Sequence, residues 1–235
     1  MSRGTLHFRL KALASAGLLR GLAWYLSPRR KIERRRKRSD ASAFDAAGYD
    51  TGTIAFLDAM TIADRDALAD ANPYDATPTY VFEEALALLD IAATDATFVG
   101  LGSGKGRTLL LAARHPFLRI VGVEFAEELQ STARTNLARH AVLHGPDARI
   151  ELHTGDAARF AFPDTPLVIF LYNPFGAETL SRVAARLRAS WLAHPRPIRI
   201  LYVNPQHGAE WVRAGFDRIG GAADNRFALY APSAG

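Results

Sequence analysis

The 235-residue chain is 49% hydrophobic, enough to bury a substantial core as one α/β domain with an appendage, or as two small domains at most. It contains no cysteine, which excludes a disulfide framework, a thiolate zinc site and a cysteine nucleophile. The net charge of +5 is uneven: residues 1–40 carry twelve Lys or Arg against Glu33 and Asp40, a net +10 that leaves the remainder at −5, so a polyanion or anionic membrane would meet this arm and not the body.

The arm divides into an apolar segment, residues 10–26, and a polybasic run, residues 27–40. The apolar part is too short to span a bilayer, and Lys11 and Arg20 interrupt it. Trp24 and Tyr25 beside the cations suit an interfacial helix on anionic lipid. The lack of any acid before Glu33 suits a targeting peptide, and a solvated helix without a specific partner is the plain alternative. Residues 1–40 are expected to form a basic helical arm, 41–95 a helical lead-in and 96–235 the main domain.

Within the lead-in, TPTYVFEEALALLDIA (77–92) predicts a helix whose Thr77-Pro78 start is typical of an N-terminus, with Phe82 on its apolar face. From residue 96, apolar runs alternate with helical patterns, the signature of βαβ units and a parallel sheet. The runs are TFVGL, RIVGVEF, RIELHTG, LVIFLYN and IRILYVN, and each ends at a polar or glycine-rich element. The final FDRIGGAADNRFALYAP predicts two antiparallel strands around a turn.

The loop after the first strand, GSGKGR (102–107), concentrates the chemistry. A phosphate-binding loop of the form GxxxxGK[ST] would need glycine at Val99 and a hydroxyl at Gly106, and has neither. A dinucleotide GxGxxG would need its third glycine at Arg107, which counts against a nicotinamide-dependent oxidoreductase. Glu124 ends the second strand 22 residues after Gly102, where a carboxylate can take both hydroxyls of a ribose. Asp156 follows the third strand, and Lys105 is expected to be a solvated loop lysine.

GSGKGR with GVEF (122–125) resembles motif I of the class I, seven-strand S-adenosylmethionine-dependent methyltransferases, and the resemblance runs from Thr77 to the C-terminus. It implies a doubly wound, mostly parallel seven-stranded Rossmann-like sheet with a C-terminal antiparallel hairpin. It also implies S-adenosylmethionine as cofactor, held by Thr79, Gly102, Ser103, Gly104, Gly106, Glu124, Asp156, Ala157 and Asn173, and no metal. Many members carry an acid where this chain has Gly100, so backbone carbonyls or an upstream side chain are expected to replace it.

Asn173-Pro174-Phe175 is similar to the [DN]-P-P-[YF] motif of amino-methylating members, lacking one proline. The resemblance implies that these three residues, with Tyr80, form the methyl-transfer site. The alternative is that Asn-Pro closes the strand and Phe175 packs under the next helix. A second Asn-Pro, Asn204-Pro205, is read as a turn, with His207 beside it. NPYDATPTYVFEE resembles the segment before motif I in seven-strand protein lysine methyltransferases, where Thr77, Thr79 and Tyr80 match residues covering the cofactor's methionine end. The expected function is in-line methyl transfer to a nitrogen acceptor, a protein lysine or another amino group, in the cytoplasm or peripherally at a membrane. The alternative is a non-catalytic S-adenosylmethionine-binding domain tethered to membrane or nucleic acid by residues 1–40.

Overall fold

A computed structural model describes residues 28–52, 55, 57, 60 and 68–233, with only the backbone of 28–34. The apolar segment 10–26 therefore lies outside the described residues. Helix α1 (Pro28–Ala46) runs across the boundary expected at residue 40. Helix α2 (Thr79–Leu86) is shorter than its apolar pattern, because its last turn tightens: Leu88 and Leu89 N–H donate to Ala85 and Leu86 carbonyls, three residues back.

Seven strands follow: β1 (Thr97–Leu101), β2 (Arg119–Glu124), β3 (Ile150–Thr154), β4 (Leu167–Tyr172), β5 (Ile198–Val203), β6 (Phe216–Gly221) and β7 (Phe227–Pro232). Between them lie α3 (Arg107–Ala112), α4 (Glu127–His144), α5 (Ala177–Ala193) and α6 (Ala209–Arg213). The spatial order is β3-β2-β1-β4-β5-β7-β6; β1 to β5 pair in parallel, and β7 is antiparallel to both β5 and β6. This is the Rossmann-like methyltransferase architecture.

Strands β1 and β4 are buried on both faces, which explains their unbroken apolar runs. Val99, Leu101, Ile169 and Leu171 pack against α5 and Trp211 on one face; Phe98, Val168 and Phe170 pack with Phe82 and α3 on the other. The Phe82 ring contacts Phe98 and Phe170 at 5.9 and 5.1 Å between centroids, so Phe82 is a core residue. Gly100 and Gly122 are register partners on this second face. A Cβ at Gly122 would stand 2.5 Å from Leu109 Cδ1, and one at Gly100 3.4 Å from Leu109 Cδ2 and from Thr108 Oγ1. Gly122 thus lets α3 seat directly on the sheet, whereas a Cβ at Gly100 would make ordinary van der Waals contact with it.

Candidate functional site

The chain order reverses between β1 and β4, and open α/β sheets bind ligands in the crevice at that switch point, beyond the carboxyl ends of the strands. Here that crevice is a cleft of about 860 Å³, its open mouth included. Its walls are Gly102-Ser103, Glu124-Phe125, Gly155-Asp156-Ala157, Pro174-Phe175 and the upstream stretch 71–75 with Thr77. Leu101, Val123, Leu129 and Phe170 make it apolar inside.

Gly102 and Gly104 have φ of +65° and +55°, a region open to glycine and strained for other residues. Space also demands them: a Cβ at Gly102 would lie 2.4 Å from Pro174 Cβ, and one at Gly104 2.2 Å from the Tyr74 ring. The glycine loop, the Asn-Pro-Phe motif and the lead-in are therefore packed against one another. Ser103 is buried in the cleft wall, and its Oγ has no hydrogen-bond partner.

Glu124 is 4% exposed. Its Oε2 accepts from Gly104 N–H at 2.8 Å, and its Oε1 from Phe125 and Ala126 N–H at 3.0 Å each. Burial raises its pKa, against the lowering effect of those three amides. A carboxylate offers about four acceptor positions, so roughly one is left for a ligand hydroxyl. Asp156 caps the short helical turn Ala157–Arg159, accepting from Ala158 N–H at 2.8 Å, while its Oδ2 lies 3.3 Å from Arg182 Nη2.

Asn173 takes the left-handed conformation, φ +42°, and is 7% exposed. Its Oδ1 accepts from the Tyr202 hydroxyl at 2.7 Å, and burial raises the pKa of that phenol. Pro174 and Phe175 line the cleft, and Asn173 precedes them directly after β4. Both of their neighbouring carbonyls are engaged: Pro174 O accepts from Asn72 N–H and Asn173 O from Asn72 Nδ2, each at 2.9 Å. Asp70 completes this strap, its carboxylate accepting from Thr179 N–H at 2.8 Å and its carbonyl from Gly176 N–H at 2.7 Å. Asn204, φ +52°, forms the second turn, with its carbonyl accepting from Gln206 N–H.

Thr79 and Tyr80 stand away from the cleft wall. Thr79 donates its N–H and hydroxyl to Asp40 of α1, and Tyr80 lies under the Arg36 guanidinium, 5.5 Å from its ring centroid. Of the three residues expected to cover the cofactor, only Thr77 lines the cleft, together with Ala71 to Asp75.

Lys105 corrects the expectation of a solvated loop residue. It is 7% exposed, pairs with Asp50 at 2.7 Å and sits 6.0 Å from the Tyr74 ring centroid. Arg107 is buried likewise, pairing with Asp40, donating to Thr51 Oγ1 at 3.0 Å and lying 3.9 Å over the Phe44 ring. The two cations of GSGKGR thus clamp residues 40–51 onto the loop. Asn136 adds a third clamp, accepting from Asp50 N–H and donating to Asp50 and Lys105 carbonyls. Sequence reasoning missed Asp40, Asp50, Thr51, Asp70, Asn72 and Tyr74; a positive charge placed beside glycines that need no phosphate was the one visible signal. Among the described residues, no group of three or more His, Asp or Glu side chains is placed to hold a metal ion, and no helix is long and apolar enough to cross a membrane.

No protein-family model and no curated protein sequence matches the chain. Solved structures do match in fold. A predicted N6-adenine-specific DNA methylase from Listeria monocytogenes aligns with a TM-score of 0.50 at 14% identity, over 68% of this chain and 52% of its own. The N,N-8-amino-8-demethyl-D-riboflavin dimethyltransferase of Streptomyces davawensis aligns at 0.49 and 18%, over 66% and 54%. An RNA methyltransferase from Salinibacter ruber, crystallised with S-adenosyl-L-homocysteine, aligns at 0.45 and 25%, over 66% and 91%. This chain spans about half the length of the first two. The Listeria alignment bears on the fold alone, which is Rossmann-like and methyltransferase-like.

Proposed function

We propose that the chain is an S-adenosylmethionine-dependent methyltransferase acting on a nitrogen acceptor, a protein lysine or another amino group. The observation that carries this reading is the cleft itself, where the Cβ-free Gly102 and Ser103 beyond β1 adjoin Glu124 at the end of β2, with Asp156 beyond β3 on its far side. That donor and acceptor set fits an amino acid joined to a nucleoside: Gly102-Ser103 and Thr77 for the amino-acid portion, Glu124 for ribose, Asp156 for the base. When bound, S-adenosylmethionine would supply a methyl group on a positively charged sulfur.

The protein's part is alignment and exclusion of water. The acceptor nitrogen must arrive neutral, its lone pair in line with the methyl carbon. The methyl would pass to that nitrogen as the sulfur left neutral, and the nitrogen's proton would go to solvent. Pro174 and Phe175 form the wall where that nitrogen would be held, and the preference for nitrogen rests on the resemblance of Asn173-Pro174-Phe175 to the motif of amino-methylating members. Asn173 keeps one carboxamide lone pair beyond the one Tyr202 uses. Thermal shift tests the cofactor assignment: S-adenosylmethionine and its demethylated product should each stabilise the fold by about 2.7 kcal/mol at a hundredfold excess over Kd, and NAD should not. A shift with NAD alone sinks it. Methyl-labelled cofactor with a lysate of the source cell would then identify the acceptor.

A further inference from the structure

Helix α1 carries eight Lys or Arg between Arg29 and Arg38, and one of its two lysines, Lys37, reaches the cleft. Lys37, Asp40, Ala41 and Phe44 share one helical face, and that face is fastened to the body. Asp40 accepts from Thr79 N–H and pairs with Arg107, Phe44 is buried, and Lys37 pairs with Asp75. The Lys37 ammonium also lies 6.0 Å from the Tyr172 ring centroid. Asp75 and Tyr172 both line the cleft, and Tyr172 ends β4, directly before Asn173-Pro174-Phe175. Lys37 is half-buried there, whereas Arg35, Arg36 and Arg38 are exposed. A primary amine thus stands on a carboxylate and near an aromatic ring, at the strand end where the acceptor nitrogen of the proposed function would be held.

We propose that Lys37 is a methyl acceptor within its own chain. This rests on the proposed methyl transfer and deepens it by naming one nitrogen that the cleft receives. Lysine suits the task where arginine does not, because an ammonium can give up a proton and offer a lone pair, whereas a guanidinium stays protonated. Lys37 would give one proton to solvent at the cleft's open mouth and take the methyl on Nζ as the sulfur left neutral. One N–C bond forms, one C–S bond breaks, and Nζ ends with the positive charge it began with. Asp75 and Tyr172 can therefore hold the product as they hold the unmodified ammonium, since a methylated cation keeps both its ion pair and its attraction to a ring.

The full chain has four lysines, at positions 11, 31, 37 and 105, so residue-resolved mass spectrometry tests the site directly. With S-adenosylmethionine and no other substrate, methyl groups should appear on Lys37 and not on Lys11, Lys31 or Lys105. The fraction methylated per unit time should not fall on dilution, because donor site and acceptor share one molecule. Binding gives a second readout that needs no turnover. A nitrogen poised for transfer stands about 5 Å from the sulfur, where two unit charges in water alter affinity by about fourfold. Lys37→Met should therefore improve binding of an unreactive cofactor analogue, with an ammonium in place of the sulfonium, by about fourfold relative to the demethylated product with its neutral sulfur. The demethylated product should still raise the melting temperature of Lys37→Met, which shows that the variant folds. An unmethylated Lys37 in a chain that the cofactor stabilises overturns the inference, and labelling of a lysate component by the same preparation would keep the enzymatic reading standing. Equal labelling of Lys31, a rate that falls with dilution, or an unchanged preference between analogue and product in Lys37→Met also overturns it. A chain stabilised by neither sulfur compound overturns both.

Discussion

Arg107→Met removes the guanidinium that joins the glycine loop to the lead-in while keeping most of the side chain's volume. Arg107 is 2% exposed; its bonds run to the Asp40 carboxylate, itself 15% exposed, and to Thr51 Oγ1, and the guanidinium stacks on Phe44. Removing one partner of a buried ion pair costs about 3–5 kcal/mol, because the other charge is left without compensation. Asp40 would keep two donors from Thr79, so the lower end applies, about 3 kcal/mol. For a domain of this size, that corresponds to a fall in Tm of about 6–12 °C. Urea titration gives the free energy, and amide exchange gives the location: residues 40–52 should exchange faster while β1 and β4 hardly change. Arg107→Lys should recover little of the loss, since one ammonium lacks the planar fork that reaches Asp40 and Thr51 together. A loss below about 1 kcal/mol, or a larger one without faster exchange at 40–52, would refute the clamp.

Gly104→Ala should destabilise by at least about 1–2 kcal/mol from the left-handed backbone alone, and more because the Tyr74 ring must move; Tyr74→Ala in the same chain should return part of the loss, and a wild-type Tm for the single variant would contradict this packing. Burial raises the Glu124 pKa above its ordinary 4.5, so the folded state holds this proton more tightly than the unfolded chain. Its contribution is fully present below pH 4.5 and is lost as pH rises through the raised value; subtracting the stability curve of Glu124→Gln from that of wild type should expose this fall, and a difference that rises with pH would be the wrong sign. Asn173→Ala should lower turnover by about a hundredfold, an effect of about 2.7 kcal/mol, with cofactor affinity changed only a fewfold. Initial rates and cofactor titrations check it, and unchanged turnover would leave Asn173 as a turn residue held by Tyr202.

What the amino-acid order determined alone is local and repetitive. TFVGL and LVIFLYN read as strands because β1 and β4 are buried on both faces, and such strands need no partner to be recognised. The loop was legible for a similar reason, since glycines at 102 and 104 announce a backbone that side chains would block. Glu124 was singled out as a strand-end acid 22 residues after Gly102, and Asp156 by the family resemblance at the end of the third strand.

The tertiary structure decided whatever depends on contacts between distant residues. A terminal hairpin was visible in residues 216–232, yet only the assembled sheet inserts β7 between β5 and β6. Lys105 looked like a solvated loop cation; the acids that pair with it and with Arg107, Asp50 and Asp40, lie 55 and 67 residues away and obey no periodicity. Asn72 reaches Asn173 across 101 residues, and no pattern in either segment marks the pairing. Periodicity and turn chemistry are written in neighbouring residues, whereas ion pairs and carbonyl partners arise only when the chain has folded back on itself.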